Sequence, residues 1–193
     1  YIDGADLFIN EFLESQLLSG RGRAYGLELY AKKNAGKLTG WVSYTLGKSE
    51  LKVDGINYGY RKDRVGSWYP TKFDQRHNFK VAAFYDLSKK VSFSSNFSFI
   101  SGTPTTFPTD RIMIQEYVIP YIDGNKRNNF RIPAYHRLDL AMTINNVWRG
   151  KKGRSGEDNL VVSVYNVYAR KNPFSIYFSQ GRERQSAEQP IAT

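Results

Sequence analysis

Hydrophobic and polar residues alternate along most of the chain, most clearly over residues 36–49. The even positions of this segment are apolar, with Leu38, Val42, Tyr44 and Leu46. The odd positions carry Thr and Ser, and Trp41 is the one large exception. Successive side chains of an extended strand point to opposite sides of a sheet. The pattern therefore predicts a strand that separates an apolar phase from a polar one.

The same alternation recurs along the chain and predicts six antiparallel strands. Their ranges are 23–33, 36–49, 75–87, 90–102, 135–145 and 160–168. A bulge is expected near Asn166, and a short strand is expected over 174–178. The turns are 34–37, 86–89 and 149–154, whereas the connections 50–73 and 103–134 are long. The predicted fold class is all-β, with short and long connections in alternation.

The polar faces of these strands differ from the outer face of a soluble sheet. They carry Ser, Thr, Asn and Gly with few charges. The apolar faces end in aromatic residues: Trp148 and Tyr85 at one end, and Tyr25, Tyr44 and Phe99 at the other. Aromatic girdles around an apolar band, with short turns on one side and long loops on the other, are typical of transmembrane β-barrels. We therefore expect an antiparallel transmembrane β-barrel, and a soluble all-β sandwich is the alternative.

Six strands are too few for a closed barrel of this type, since bacterial single-chain barrels begin at about eight. Open edges in lipid would leave backbone groups without hydrogen-bond partners. We therefore expect a portion of a larger barrel, or closure by oligomerisation. A portion of a larger barrel is favoured because Tyr1 and Thr193 both fall within long loops. The mid-strand apolar residues expected to face lipid are Leu29, Val42, Val81, Phe97 and Leu140.

The net charge of +10 and the pI near 9.7 would suit nucleic acid, an anionic membrane surface or acidic ligands. However, the Lys and Arg residues are scattered through turns and loops and form no stripe. Nucleic-acid binding is not expected, because most aromatic residues lie on the faces assigned to lipid. Cysteine is absent, which excludes disulfides and thiolate metal sites. No apolar run approaches the about 20 residues of a membrane helix.

Two histidines are the candidates for catalysis, and each stands near the start of a strand after a long loop. Either His77 or His136, with Asp74 or Asp139 and a serine, could supply the groups of a hydrolase. No Gly-x-Ser-x-Gly elbow accompanies them, and no paired spacing indicates a metal site. We expect both histidines to hydrogen-bond at loop-to-strand corners, and we predict neither enzyme activity nor a cofactor.

Six short segments carry a family resemblance when they are taken together and in order. They are GRAYGLEL (22–29), GWVSYT (40–45), FDQRHN (73–78), IPAYHRLD (132–139), YNVY (165–168) and NP (172–173). This combination resembles TonB-dependent outer-membrane receptors of the Bacteroidetes type. The resemblance implies that residues 1–193 form a C-terminal portion of a barrel of about 22 strands, without the plug domain, the TonB box and the last strand.

The resemblance also implies a function: energised import of a scarce nutrient, such as a siderophore, glycan, peptide or vitamin, across the bacterial outer membrane. Outer-membrane lipid would surround the wall. The TonB–ExbB–ExbD complex would act through the missing N-terminal parts, and a surface lipoprotein would be a further partner. A passive barrel or a surface-binding protein without energised transport is the alternative.

Two groups of side chains are candidate sites. The long connections carry aromatic rings and guanidinium groups that can stack on flat ligands or bind carboxylates and phosphates. These residues are Arg61, Arg64, Trp68, Tyr69, Tyr117, Tyr121 and Arg127. Packing of the aromatic rings on their neighbours is the alternative role. The charged residues expected to line the lumen, where they would pair with each other, hold a plug or contact a substrate, are Glu28, Arg76, Lys80, Arg137 and Asp139.

Overall fold

A computed structural model describes residues 18–59, 63–114, 117–121, 124–147, 158–173, 177–178 and 187–188. Within them the chain is all-β, as the alternation predicts, and its sheets are antiparallel. One 3-10 turn, Gly124–Lys126, belongs to this part of the chain. No helix among the described residues is long and apolar enough to cross a membrane.

The described strands are numbered here in chain order. They are β1 Gly20–Lys33, β2 Leu38–Val53, β3 Tyr69–Pro70, β4 His77–Asp86, β5 Val91–Ile100, β6 Pro104–Thr105, β7 Asp110–Ile114, β8 Tyr117–Tyr121, β9 Phe130–Arg131, β10 Tyr135–Asn145, β11 Asn159–Val164, β12 Tyr177–Phe178 and β13 Ala187–Glu188. Each of the six predicted strands has a counterpart among them: β1, β2, β4, β5, β10 and β11.

The described residues group into two compact units. The first, called the loop unit, consists of the described residues within Tyr1–Tyr25, Lys48–Asp74 and Thr103–Arg131. The second, called the sheet unit, draws on Gly26–Gly47, Gln75–Gly102 and Ile132–Thr193.

The long strands form an up-and-down meander. Their order in the sheet is β1-β2-β4-β5-β10-β11, and β3 adds to β2. Because strand direction reverses at each step, the turns 34–37 and 87–90 leave the strands at one end. The connections 54–76 and 101–134 leave at the opposite end. The expected alternation of short and long connections is therefore confirmed for these four.

The end of β2 lies beyond residue 49, where the alternation pattern stops. The strand continues to Val53 because β3 pairs with it at Glu50 and Leu51. The connection 103–134 is also less irregular than predicted, since it contains the four short strands β6 to β9. Both differences, the longer β2 and the short strands of the connection, come from local backbone pairing inside the loops. Such short pairings leave no period-2 pattern that is long enough to be recognised in the sequence.

The end of β11 comes earlier than predicted, at Val164 instead of residue 168. Asn166 has a positive φ of 52°, which ends the extended conformation. Its side chain bonds both the carbonyl and the N–H of Arg170, at 3.0 and 3.1 Å. The expected bulge is thus a turn that terminates the strand. Trp148 and the turn 149–154 lie outside the described residues, as do 174–176 of the short strand predicted at 174–178.

Strand register joins the apolar positions into one continuous face. A row across β2, β4, β5 and β10 consists of Val42, Val81, Phe97 and Leu138. One residue away, the row on the opposite face consists of Ser43, Lys80, Ser98 and Arg137. Directly paired residues of neighbouring strands share a face of the sheet. The alternation of each strand therefore becomes two faces of opposite polarity.

The apolar face of the sheet unit is open. On β2, Leu38, Val42 and Leu46 are 50, 40 and 37 % exposed, whereas the odd positions from 39 to 45 are half-buried. Leu140, on β10, is 41 % exposed. A soluble sheet has the reverse order, because burial of apolar area stabilises it by about 25 cal/mol per Å². On β2 the more apolar side is therefore the more exposed one.

Candidate functional site

A cation–aromatic pair forms the centre of the candidate site in the loop unit. The guanidinium carbon of Arg23, on β1, lies 4.1 Å from the ring centroid of Trp68. Glu50, on β2, holds this guanidinium with a distance of 2.6 Å between Oε2 and Nη2. Its other oxygen lies 2.8 Å from the Lys48 Nζ. The arginine is thus fixed between a carboxylate and the electron-rich face of an indole, an arrangement that is electrostatically favourable on both sides.

Glu50 is the buried charge of this cluster, at 7 % exposed. Hydrogen bonds from Lys48 and then Arg23 lower the pKa of the Glu50 carboxyl, so that it stays ionised. Trp68 is 37 % exposed, and the Arg23 side chain is 43 % exposed. Two cations surround one anion, and the surface of the cluster therefore keeps a positive charge beside an accessible indole.

The Arg23–Trp68 pair can bind ligands that combine a flat or apolar face with oxygen atoms. An indole packs against such a face, and a guanidinium donates to hydroxyl, carboxylate or phosphate oxygens. Because Glu50 already orients the Arg23 side chain, little side-chain freedom would be lost when a ligand binds.

Asparagine side chains fasten the long connections of the loop unit. A side-chain amide offers one donor and one acceptor side by side, as a peptide group does. Three asparagines each bond both the carbonyl and the N–H of one residue, and so replace one rung of a β-ladder. The pairs, at 2.7–3.0 Å, are Asn57 with Arg127, Asn125 with Gly59, and Asn129 with Phe107.

A buried ion pair adds to these amide rungs. Asp74 is 1 % exposed, and its Oδ2 lies 2.5 Å from Arg131 Nη2. Arg131 Nη1 also donates to the Asp74 backbone oxygen at 2.6 Å. The other carboxylate oxygen accepts the N–H of Ser49, on β2, at 2.7 Å. One carboxylate therefore ties β2 to both long connections, and the Arg23–Trp68 pair belongs to a cross-linked unit.

The two neighbouring aromatic residues predicted for ligand contact have different surroundings. Trp68 is part of the accessible pair described above. Tyr69 is only 7 % exposed and packs with Val53 and Ile56 in a small hydrophobic core. Packing, the alternative role, therefore describes Tyr69, and we leave it out of the candidate site.

The remaining predicted loop residues are less closely grouped. Arg64 and Tyr121 are exposed, and Arg64 has a positive φ of 53°. Arg127 is half-buried, and its backbone bonds Asn57. Arg61 lies outside the described residues, and so does the side chain of Tyr117. Among the described residues, no hydrogen bond, ion pair or cation–aromatic contact joins Arg64 or Tyr121 to Trp68.

Two of the residues predicted to line the lumen pair with each other on the polar face of the sheet unit. Arg137 Nη2 lies 2.9 Å from Asp139 Oδ2. The guanidinium also stacks on Tyr165, with 4.2 Å between its carbon and the ring centroid, and donates to the hydroxyls of Tyr165 and Tyr135. Asp139 accepts the N–H of Asn166 at 2.9 Å. This network fixes both charges against the sheet.

The other three residues of that group show no common contact among the described residues. Glu28 and Lys80 are exposed. Arg76 is half-buried, and its Nε is buried without a hydrogen-bond partner within the described ranges. A donor of this kind is available to an acceptor beyond these residues.

Both histidines bond tyrosines. His77 Nδ1 lies 2.9 Å from the Tyr44 hydroxyl, and His136 Nδ1 lies 2.8 Å from the Tyr168 hydroxyl. These contacts agree with the predicted role at loop-to-strand corners. The aspartates considered as their catalytic partners are engaged by arginines, as described above. No group of three or more His, Cys, Asp or Glu in the described part of the chain could hold a metal.

Sequence reasoning missed Arg23, Glu50 and the asparagine rungs. Arg23 begins a predicted strand and Glu50 begins a predicted long connection, and nothing local marks them as partners across 27 positions. The only local signal for the rungs was the presence of asparagines, such as Asn125 and Asn129, in connections for which the alternation pattern predicts no strand.

Replacement of Asp74 by Asn tests the cross-linking of the loop unit. The amide keeps an acceptor for Ser49 but loses the charge that binds Arg131, and we expect the free energy of unfolding to fall by about 2 kcal/mol. Hydrogen exchange of amides at 124–131 should accelerate. The matched control is Asp54→Asn: this exposed residue accepts the Gly66 N–H, which the amide oxygen can also do, and we expect a change below about 0.5 kcal/mol. Equal effects would contradict the ion-pair explanation.

Comparisons with models of protein families, with curated proteins and with solved structures found no match to this chain. Function is therefore inferred from the open apolar face, the polar-face ion pair and the Arg23–Trp68 pair.

Proposed function

We propose that this chain forms part of the wall and loops of an outer-membrane β-barrel transporter of the TonB-dependent type. The observation that carries the proposal is the open apolar face of the meander, which includes exposed Val42 and Leu140 in the middle of their strands. In water such a face would be unfavourable, whereas a bilayer accepts it. The proposed membrane-crossing segments are the parts of the long strands that belong to the sheet unit.

Aromatic residues at both ends of this face support the proposal. At one end, Tyr44 bonds His77, and Phe99 stacks on His136 with 6.3 Å between ring centroids. At the other end, Tyr85 pairs with Phe93. His77 and Tyr85 are eight positions apart on β4. That is about 26 Å along a strand and about 20 Å across a membrane at a tilt near 40°, close to the apolar band of outer-membrane barrels.

The strand order requires partners for the two edges of the sheet. β1 and β11 are its edge strands, and an edge in lipid leaves backbone N–H and C=O groups unsatisfied. We propose that further strands pair with these edges and close a barrel, which in the TonB-dependent type has about 22 strands. The short turns 34–37 and 87–90 then lie on the periplasmic side and the long connections lie outside.

The loop unit supports a role in nutrient capture. The asparagine rungs and the buried Asp74–Arg131 pair make its long connections a firm support for the Arg23–Trp68 pair. Binding sites commonly sit on loops that a rigid scaffold positions. A glycan, or a siderophore or peptide with anionic oxygens, suits an accessible indole beside a guanidinium. TonB-derived energy, supplied through the TonB–ExbB–ExbD complex, then drives import, with a surface lipoprotein as a further partner.

A pair of arginine substitutions tests the membrane face. Val81 and Asn96 are both mid-strand, on the apolar and the polar face respectively. We expect Val81→Arg to destabilise the intact protein in lipid by about 2–4 kcal/mol, because arginine would enter hydrocarbon near the midplane. Asn96→Arg should cost far less, because Asn96 is exposed on the polar face and pairs with Asp139 of β10. The measurement is urea unfolding in liposomes, and similar costs for both variants would favour a soluble sandwich.

Substitution of Trp68 tests nutrient capture. In a deletion strain that carries the intact protein, Trp68→Ala should reduce uptake affinity by about tenfold or more, since buried or stacked tryptophans dominate binding surfaces. The nutrient is found by screening siderophores, glycans, peptides and vitamins for failed growth of the deletion strain. Phe73→Ala is the control, because Phe73 is 74 % exposed in the same unit but outside the pair.

The same uptake measurement separates the proposed transporter from a passive barrel. A protonophore should abolish uptake by the wild-type protein at unchanged surface level. Uptake that persists would contradict the energised mechanism, and wild-type affinity in the Trp68→Ala variant would exclude the Arg23–Trp68 pair as the capture site.

A further inference from the structure

The apolar face of the sheet unit contains a hollow. It is lined by Ala31, Leu38, Gly40, Val42, Val81 and Ala83, and its volume is about 290 Å³. Gly40 is one of the lining residues and has a φ of +145°, which other residues rarely adopt. A Cβ at this position would overlap the carbonyl oxygen of Ala82. Position 40 therefore requires glycine, and the one-carbon side chains of Ala31 and Ala83 leave space between larger neighbours.

The rim of this hollow is basic. Lys33 lines it, and the Lys33 Nζ lies over Gly36 in the adjoining turn, about 4.0 Å from where a Cβ would stand. Lys37 follows in the same turn and is exposed. Asp86 is the one acidic residue among 31–42 and 81–92. The exposed lysines of these two ranges are Lys32, Lys33, Lys37, Lys89 and Lys90.

We propose that the hollow binds one anionic phospholipid, with part of an acyl chain on its apolar floor and the phosphate paired with Lys33 and Lys37. The inference rests on the proposed function, since the sheet meets lipid only when it is inserted in a membrane. An aliphatic cavity of about 150 Å³ holds a benzene ring, so the hollow has room for a longer hydrocarbon segment. The excess of lysines at the rim selects an anionic headgroup over a zwitterionic one by charge complementarity.

Native mass spectrometry of the intact protein, released from nanodiscs with equal phosphatidylglycerol and phosphatidylcholine, tests this site. We expect one retained phosphatidylglycerol in clear preference to phosphatidylcholine. The variant Lys33→Gln/Lys37→Gln should reduce that preference by about fivefold per lysine. Ala83→Phe, which fills the hollow, should release the lipid whatever its headgroup. The control Lys89→Gln/Lys90→Gln makes the same charge change in the neighbouring turn and should keep the preference.

Two results would overturn the lipid site while leaving the proposed function intact. One is an inserted wild-type protein that shows no preference for phosphatidylglycerol. The other is an equal loss of the phosphatidylglycerol preference in both double-lysine variants, which would show that the lysines attract anionic lipid collectively and do not form one site. A protein that does not enter nanodiscs would instead contradict the proposed function as well. The lysine variants keep the test valid if Ala83→Phe fails to fold, because both change only exposed side chains.

Discussion

The opposite polarity of the two faces of one meander is the constraint on which the rest of the structure depends. Register places Val42, Val81, Phe97 and Leu138 in one row, so the apolar side chains cannot be separated by local rearrangement. A slip by one residue would exchange the two faces completely. Full burial of each such side chain is worth about 1.5–3 kcal/mol. Apolar surroundings would therefore stabilise this face, which is the physical reason for our proposal that the sheet lies in a bilayer.

The loop unit differs from the sheet unit, because its long connections are held in place with few buried apolar side chains among the described residues. Its hydrophobic core contains little more than Val53, Ile56 and Tyr69. Side-chain amides and the Asp74–Arg131 pair supply the cross-links that strands or a larger core would otherwise provide. Hydrogen bonds of this kind contribute about 1 kcal/mol each, and more when a charge takes part. Cross-links made by polar side chains leave aromatic residues such as Trp68 accessible for binding. A large apolar core would instead bury such residues.

Much of the sheet could be predicted from sequence, because period-2 alternation directly encodes which side chains share a face. The bounds of β10 agree with the prediction, and those of β4 and β5 differ by a few residues. The loop unit could not be predicted, since its organisation depends on contacts such as Asn57 with Arg127, 70 positions apart. Tyr69 illustrates the limit: aromatic composition indicates a ring that packs or binds, and only the three-dimensional neighbours decide which.

The most direct test of the membrane assignment is a nitroxide scan along residues 77–86 of β4 in the intact protein in lipid. The period of a strand makes successive positions face opposite sides. At Val81 and Ala83, accessibility to oxygen should be high and accessibility to a water-soluble nickel complex should be low. At Lys80 and Ala82, on the opposite face, oxygen accessibility should be lower. Ready access of the nickel complex to Val81 and Ala83 would contradict the account.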